Sequence, residues 1–185
     1  MNSSQHSIDA RSPLVFEVHE LGRRAGAMKQ VTRTAPAPDG LGLEMIRVPQ
    51  GSDITLDIKL ESVIEGVYVS GTAEVDLVGE CSRCLRPIED GLDLDLQELY
   101  FYDDQDAEED AFLVIDERVD LEPLIRDAVV LDLPFTPLCR QDCAGLCPVC
   151  GANLNDDPDH GHGDRIDPRW GKLLDLAEDQ GAPTD

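Results

Sequence analysis

The sequence is poor in aromatic residues, in basic residues and in long apolar runs. Aromatic side chains make up 4% of its 185 residues, too few for a protein that reads nucleic acid mainly by stacking bases on exposed rings. No stretch approaches the length that crosses a bilayer. The N-terminus lacks the cationic start and apolar run of a signal peptide. We therefore expect a cytoplasmic protein that does not associate with a membrane.

Motifs of common enzyme classes are missing as well. The sequence contains no glycine-rich phosphate loop and no nucleophile beside a positioned base. The acidic run "DDQDAEED", residues 103–110, has no possible core face, and such a run is typical of a solvated loop. We expect no catalytic residues and no enzymatic activity.

The charge that is present is mostly negative and unevenly placed. Lysine and arginine number 15 against 39 aspartates and glutamates, a formal net charge of -24. Residues 1–50 carry a net charge of +1, and residues 51–185 carry -25. An acidic body repels phosphate and attracts cationic partners, and both effects weaken with salt. The charge therefore favours a basic partner.

Hydrophobic periodicity predicts the fold class. The segments "ITLDIKLESV" and "VYVSGTAEVDLVG" place apolar residues at every second position, as half-buried strands require. Residues 120–134 change to helical spacing, with Asp120 as a candidate cap and Pro134 as a stop. We expect an α+β fold: an antiparallel, partly barrel-like sheet with a packing helix, a cysteine-rich zinc-knuckle loop and a C-terminal helix.

The same features divide the chain into four parts. Residues 1–12 are polar and are expected to be disordered. Residues 13–135 form the β-rich domain with its packing helix, and residues 136–163 form a cysteine-rich zinc-binding segment. Residues 164–185 are expected to form the C-terminal helix and tail, because "IDPRWGKLLDLAED" shows helical spacing after a proline.

Six cysteines point to a metal site. In a reducing compartment thiols stay free unless a metal holds them, and zinc prefers four soft ligands in a tetrahedron. Two C-x2-C pairs present two thiolates each, which predicts a zinc site made of Cys81, Cys84, Cys147 and Cys150. The rival set is local and replaces the first pair with Cys139 and Cys143; it closes shorter loops.

A site filled by four cysteines has no open position for a substrate, so the zinc is expected to be structural. His160 and His162 lie in the polar segment "DDPDHGHGD" and are fallback ligands in this interpretation. A dithiol redox protein is a weaker alternative, because "CSRC" lacks the helix N-terminus and βαβ context of redox motifs.

Four segments together resemble the YceD family of bacterial large-subunit ribosomal RNA accumulation proteins. They are "FEVHELGRRAGAMKQV", "GECSRCLRPIE", "CRQDCAGLCPVCGANLNDDP" and "IDPRW", in that order. The resemblance spans about residues 13–175. It implies a cytoplasmic, non-enzymatic factor that supports synthesis, stability or assembly of large-subunit ribosomal RNA.

Combined with the charge, the resemblance implies a large-subunit ribosomal protein or a pre-ribosomal particle as partner. Ribosomal RNA could be contacted only through a restricted basic surface, because the acidic body opposes a larger footprint. A zinc-ribbon factor associated with transcription is the alternative. The candidate RNA contacts are Arg23, Arg24, Lys29, Arg33, Arg83 and Arg86.

Overall fold

Alternating burial defines the strands of the protein. The computed structural model describes residues 8–103 and 111–162. The strand Asp53–Ser62 buries every second side chain, and Ile54, Leu56, Ile58 and Leu60 are all fully buried. This is the period-two pattern that the sequence predicted.

Seven strands and one α-helix are present in the described residues. A 3₁₀-helix, His19–Leu21, follows the first strand. The strands are β1 (Val15–Glu17), β2 (Met28–Pro36), β3 (Ile46–Arg47), β4 (Asp53–Ser62), β5 (Gly66–Glu80), β6 (Pro87–Phe101) and β7 (Arg118–Asp120), and the helix is α1 (Glu122–Asp132).

The main sheet is antiparallel and is organised around β5. β5 pairs with β4 and, nearer to its C-terminal end, with β3. It pairs with β6 over its whole length, from Gly66 opposite Phe101 to Glu80 opposite Pro87. β2 pairs with β4, and β1 and β7 form a separate two-stranded ribbon. The β5–β6 hairpin therefore ends at the "CSRC" segment.

Helix α1 begins one residue later than the sequence indicated, because Leu121 and not Asp120 is its N-cap residue. The Asp120 carboxylate accepts a hydrogen bond from the backbone N–H of Glu122 at 3.0 Å, which satisfies one of the donors left open at a helix start. Leu124, Ile125 and Val129 are buried, and the helix contacts β6. The predicted packing helix is confirmed.

The sheet corrects one part of the predicted fold. Within the described residues, β2 and β6 stand at opposite ends of the sheet and do not pair with each other, so the sheet is open and not barrel-like. The buried face is covered by other elements: Phe16 of β1, Val119 of β7 and Ile125 of α1 belong to the same core cluster as Leu56. An antiparallel sheet needs only one covered face.

The chain divides into two compact units, Met1–Gln141 and Asp142–Asp185. The predicted C-terminal helix, residues 164–185, lies outside the described residues, as do residues 1–7 of the N-terminal segment. Among the residues described, no helix is long and apolar enough to span a membrane.

Candidate metal centres and acidic sheet face

The first C-x2-C pair lies in the turn of the β5–β6 hairpin. The Cys81 N–H donates to the Arg86 carbonyl at 2.8 Å, and the Leu85 N–H donates to the Cys81 carbonyl at 2.9 Å. Leu85 adopts a left-handed conformation with φ of 57°. The turn buries both thiols, with Cys81 and Cys84 exposed by 0% and 4%, so both sulfurs point inward from one short loop.

Cys139 brings a third sulfur to this turn. The sulfurs of Cys84 and Cys139 are 3.6 Å apart, and those of Cys81, Cys84 and Cys139 all lie within 4.8 Å of one another. In a tetrahedral zinc site with Zn–S bonds of about 2.3 Å, neighbouring sulfurs lie about 3.8 Å apart. These three residues, the first thiol cluster, therefore have the spacing of zinc ligands.

The surroundings of Cys81 favour its thiolate form. Burial raises the pKa of this thiol, but backbone N–H groups of Cys139, Arg83 and Cys84 lower it, with a net pKa of about 6. The thiolate is the form that binds metal. Cys81 can therefore act as a ligand at neutral pH.

The second C-x2-C pair repeats the turn of the first. The Cys147 N–H donates to the Ala152 carbonyl at 2.8 Å, and the Gly151 N–H donates to the Cys147 carbonyl at 2.8 Å. Gly151 has φ of 75°, in the position that Leu85 takes in the first turn. Both turns are zinc knuckles in shape, but only the second has glycine at the left-handed residue.

Two histidines complete the second group. The ligand atoms of Cys147, Cys150, His160 and His162 all lie within 4.8 Å of one another; this set is the Cys2His2 cluster. Backbone N–H groups of Val149 and Cys150 lower the pKa of the Cys147 thiol to about 6, against the opposing effect of burial. Thiolate and imidazole together form a ligand set that suits zinc.

Cys143 belongs to the second unit and lies four residues after Cys139 in the chain. It is 2% exposed. Its sulfur accepts a hydrogen bond from the Asn155 side-chain amide at 3.4 Å, and the Asn155 amide also donates to the Asn153 side-chain oxygen at 2.7 Å.

This grouping differs from both ligand sets expected from the sequence. Cys81 and Cys84 share a cluster with Cys139, whereas Cys147 and Cys150 share one with the two histidines. Each C-x2-C pair thus lies close to possible metal ligands that follow it in the chain. The H-x-H spacing ten residues after Cys150 was the sequence signal for the second set, and which of these residues bind a metal ion stays a prediction.

Three of the candidate RNA contacts are engaged within the fold. The Arg33 guanidinium stacks over the Phe16 ring at 4.2 Å and donates to the Pro13 and Val15 carbonyls at 2.8 and 3.1 Å. The Lys29 ammonium lies 2.9 Å from a Glu20 oxygen.

The hydrogen bond from Lys29 lowers the pKa of the Glu20 carboxyl. Arg23 lies 4.6 Å over the ring of Tyr102. Arg24, Arg83 and Arg86 are exposed, and RNA contact by any of the six stays a prediction.

The outer face of the main sheet is strongly acidic. Strands β4, β5 and β6 contain a single cation, Lys59, whose ammonium is paired with the Glu61 carboxylate at 2.8 Å. Glu74 on β5 stands directly opposite Asp93 on β6. The acidic sheet face consists of the exposed carboxylates Asp57, Glu74, Asp76, Asp93 and Asp95.

An open antiparallel sheet with cysteine knuckles and one acidic face defines a small α+β protein whose sites are suited to metal ions and cationic partners. Comparison with known proteins then shows the family. The family model for the large ribosomal RNA subunit accumulation protein YceD matches residues 69–177 of this chain. The chain therefore belongs to the YceD family. The predicted resemblance is confirmed.

Relatives extend the similarity over most of the chain. An uncharacterized protein of Mycobacterium tuberculosis is 46% identical over 170 residues, which cover 89% of this chain and 82% of that protein. One of Mycobacterium leprae is 44% identical over 89% of this chain and 78% of its own length.

A chloroplastic protein of Zea mays, named large ribosomal RNA subunit accumulation protein YCED homolog 1, is 40% identical over 55 residues, or 28% of this chain and 19% of that protein. No solved structure matches.

Proposed function

We propose that this protein is a non-enzymatic, cytoplasmic ribosome-biogenesis factor that supports large-subunit ribosomal RNA accumulation by binding a basic ribosomal protein or an assembly intermediate. The family match points to large-subunit ribosomal RNA. The acidic sheet face is the observation that carries the choice of partner, because five exposed carboxylates on adjacent strands attract a cationic surface and repel phosphate.

The engaged cations support a protein partner over naked RNA. Arg33, Lys29 and Arg23 each contact a carbonyl, a carboxylate or an aromatic ring of the fold itself. Neutralising several phosphates at once requires several available cations. We therefore expect weak RNA contact and a salt-dependent association with a basic protein.

The first thiol cluster is proposed to hold a structural zinc ion. Support comes from the spacing of its three sulfurs, which is that of zinc ligands, and from the burial of Cys81 and Cys84. We expect the ion to stabilise the loop and not to catalyse.

The test compares two ligand classes at physiological salt: naked large-subunit ribosomal RNA and separated large-subunit ribosomal proteins. We expect binding to one or more basic proteins and little binding to RNA. The variant Glu74→Gln/Asp93→Asn should weaken protein binding by about 3- to 10-fold, because each exposed charge contributes about 0.2–1 kcal/mol.

The matched control is Glu44→Gln/Glu65→Gln, which removes the same charge from exposed residues outside the strands. It should leave the affinity nearly unchanged. Tight RNA binding without ribosomal-protein binding would overturn the proposal. Equal weakening by both variants would show that net charge, and not the sheet face, determines the association.

A further inference from the structure

We propose that the Cys2His2 cluster is a second zinc site, separate from the first thiol cluster and formed entirely by residues 147–162. The sequence predicted one zinc ion held by four cysteines. The structure assigns Cys147, Cys150, His160 and His162 to a complete ligand set of their own. This inference does not depend on the proposed function.

The distances between ligand atoms fit a tetrahedron. His162 Nε2 is 3.2 Å from the sulfurs of both Cys147 and Cys150, and His160 Nε2 is 3.1 Å from the Cys150 sulfur. The two Nε2 atoms are 3.0 Å apart. With Zn–S of about 2.3 Å and Zn–N of about 2.0 Å, the edges would be about 3.5 Å for S–N and about 3.3 Å for N–N. The four atoms surround a zinc-sized centre after a few tenths of an ångström of expansion.

The backbone around the knuckle is ordered by hydrogen bonds that hold the thiols in place. Leu146 and Asn153 form an antiparallel bridge, and the Leu154 N–H donates to the Gly145 carbonyl at 2.9 Å. These bonds close the chain on both sides of the Cys147–Cys150 turn. The two sulfurs are therefore preorganised, and the histidines supply the other half of the site.

His160 has the surroundings of a zinc ligand on both sides of its ring. Its Nε2 atom faces the cluster, while its Nδ1 atom lies 3.6 Å from an Asp157 carboxylate oxygen. The His160 backbone N–H also donates to the Asp157 carbonyl at 3.1 Å. At 3.6 Å this pair is a charge contact and not a hydrogen bond; an approach of a few tenths of an ångström would let the carboxylate accept the Nδ1–H, the bond that fixes ring orientation and tautomer in metal sites. The Asp157 placement is an observation independent of the ligand distances.

The donor set defines the class of ion. Two thiolates and two neutral imidazoles balance the charge of a divalent cation, and this soft and borderline set selects zinc over magnesium or calcium, which prefer oxygen ligands. Cys150 is exposed and the His160 side chain is 20% exposed. The second ion should therefore exchange with chelators faster than an ion at the buried sulfurs of Cys81 and Cys84.

The experiment measures zinc per full-length chain by elemental analysis after gel filtration without added metal. We expect two equivalents in the natural protein and one in His160→Ala/His162→Ala. The matched control removes the other two histidines, His6→Ala/His19→Ala, and should keep both equivalents. The variant His160→Cys/His162→Cys offers four thiolates and should regain the second ion.

Cobalt(II) substitution identifies the ligands directly. The natural protein should show thiolate-to-cobalt charge-transfer absorption from two sites, and the double alanine variant should lose the part that belongs to a mixed sulfur–nitrogen site. Hydrogen exchange should show β5 unchanged in that variant. An unchanged zinc content in the alanine variant, or loss of both ions in it, would overturn the proposal. A single equivalent in the natural protein that the alanine variant loses would keep this site and would instead overturn the zinc proposed at the first thiol cluster.

Discussion

The acidic sheet face contains one pair of carboxylates that stand directly opposite each other, Glu74 on β5 and Asp93 on β6. Opposite residues on antiparallel strands have Cβ atoms about 5 Å apart, and like charges so placed destabilise a sheet. Both side chains are exposed. We predict that neutralising either one, by Glu74→Gln or Asp93→Asn, raises the free energy of unfolding.

The expected gain follows from Coulomb's law. Two unit charges about 6 Å apart repel by roughly 0.7 kcal/mol in bulk water, so we expect a gain of about 0.5–1 kcal/mol, or about 2 °C in Tm for a chain of this size. The screening length falls from about 10 Å at 0.1 M salt to about 3 Å at 1 M. The gain should therefore nearly vanish at high salt.

The double variant separates this pair from the general acidity of the protein. Once one carboxylate is neutral, removing the second relieves no cross-strand repulsion, so the double variant should gain no more than the better single variant. Asp95→Asn is the matched control, because Asp95 stands opposite Thr72, and it should gain less. Urea unfolding at low and high salt measures all four. Equal gains in the three single variants, or additive gains in the double variant, would refute the reasoning.

Three further predictions concern the backbone. Gly71→Ala should destabilise the sheet by more than about 2 kcal/mol in urea unfolding, because a Cβ at this residue would collide with the Asp57 carbonyl oxygen on β4; wild-type stability would contradict it. Asp120→Ala should cost about 1 kcal/mol through loss of the acceptor at the helix start, whereas Asp120→Asn keeps an acceptor. Burial raises the pKa of Asp120, so the stability contributed by its protonated carboxyl is full below the unfolded pKa and is lost as pH rises through the folded pKa. In thermal melts the Asn variant should therefore gain on wild type as the pH rises from acid to neutral, and the opposite trend would refute this. Leu85→Gly should leave the free energy of unfolding unchanged or raise it by up to about 1 kcal/mol, because it removes left-handed backbone strain at an exposed residue. A marked loss of stability would show that contacts of the Leu85 side chain stabilise the turn.

Alternating apolar residues were sufficient to predict the long strands, because a half-buried strand has a strict period of two. Ile54, Leu56, Ile58 and Leu60 lie buried, and the residues between them are exposed, as the pattern indicated. The closure of the sheet could not be predicted in the same way. Alternation shows that one face is covered, but it does not show whether another part of the same sheet or a helix and a ribbon cover it.

The metal residues illustrate a similar limit. Spacing alone indicated that Cys81 and Cys84 act as one pair and Cys147 and Cys150 as another, because a C-x2-C turn is local. The remaining residues of each cluster are not set by local spacing. His160 was ranked low because it lies in a polar, turn-rich segment, and such segments are usually solvated; here the segment returns to the knuckle.

Stability and partner binding should be linked at the opposed carboxylates. In the free protein Glu74 and Asp93 repel each other, and a partner's cation placed between them would remove that repulsion on binding. This repulsion destabilises the free sheet and is absent from the complex. Its relief therefore adds about 0.5–1 kcal/mol to the free energy of binding. Variants that stabilise the fold by removing one charge should lose a comparable part of the binding free energy. A gain in stability with unchanged partner affinity would place the partner elsewhere on the molecule.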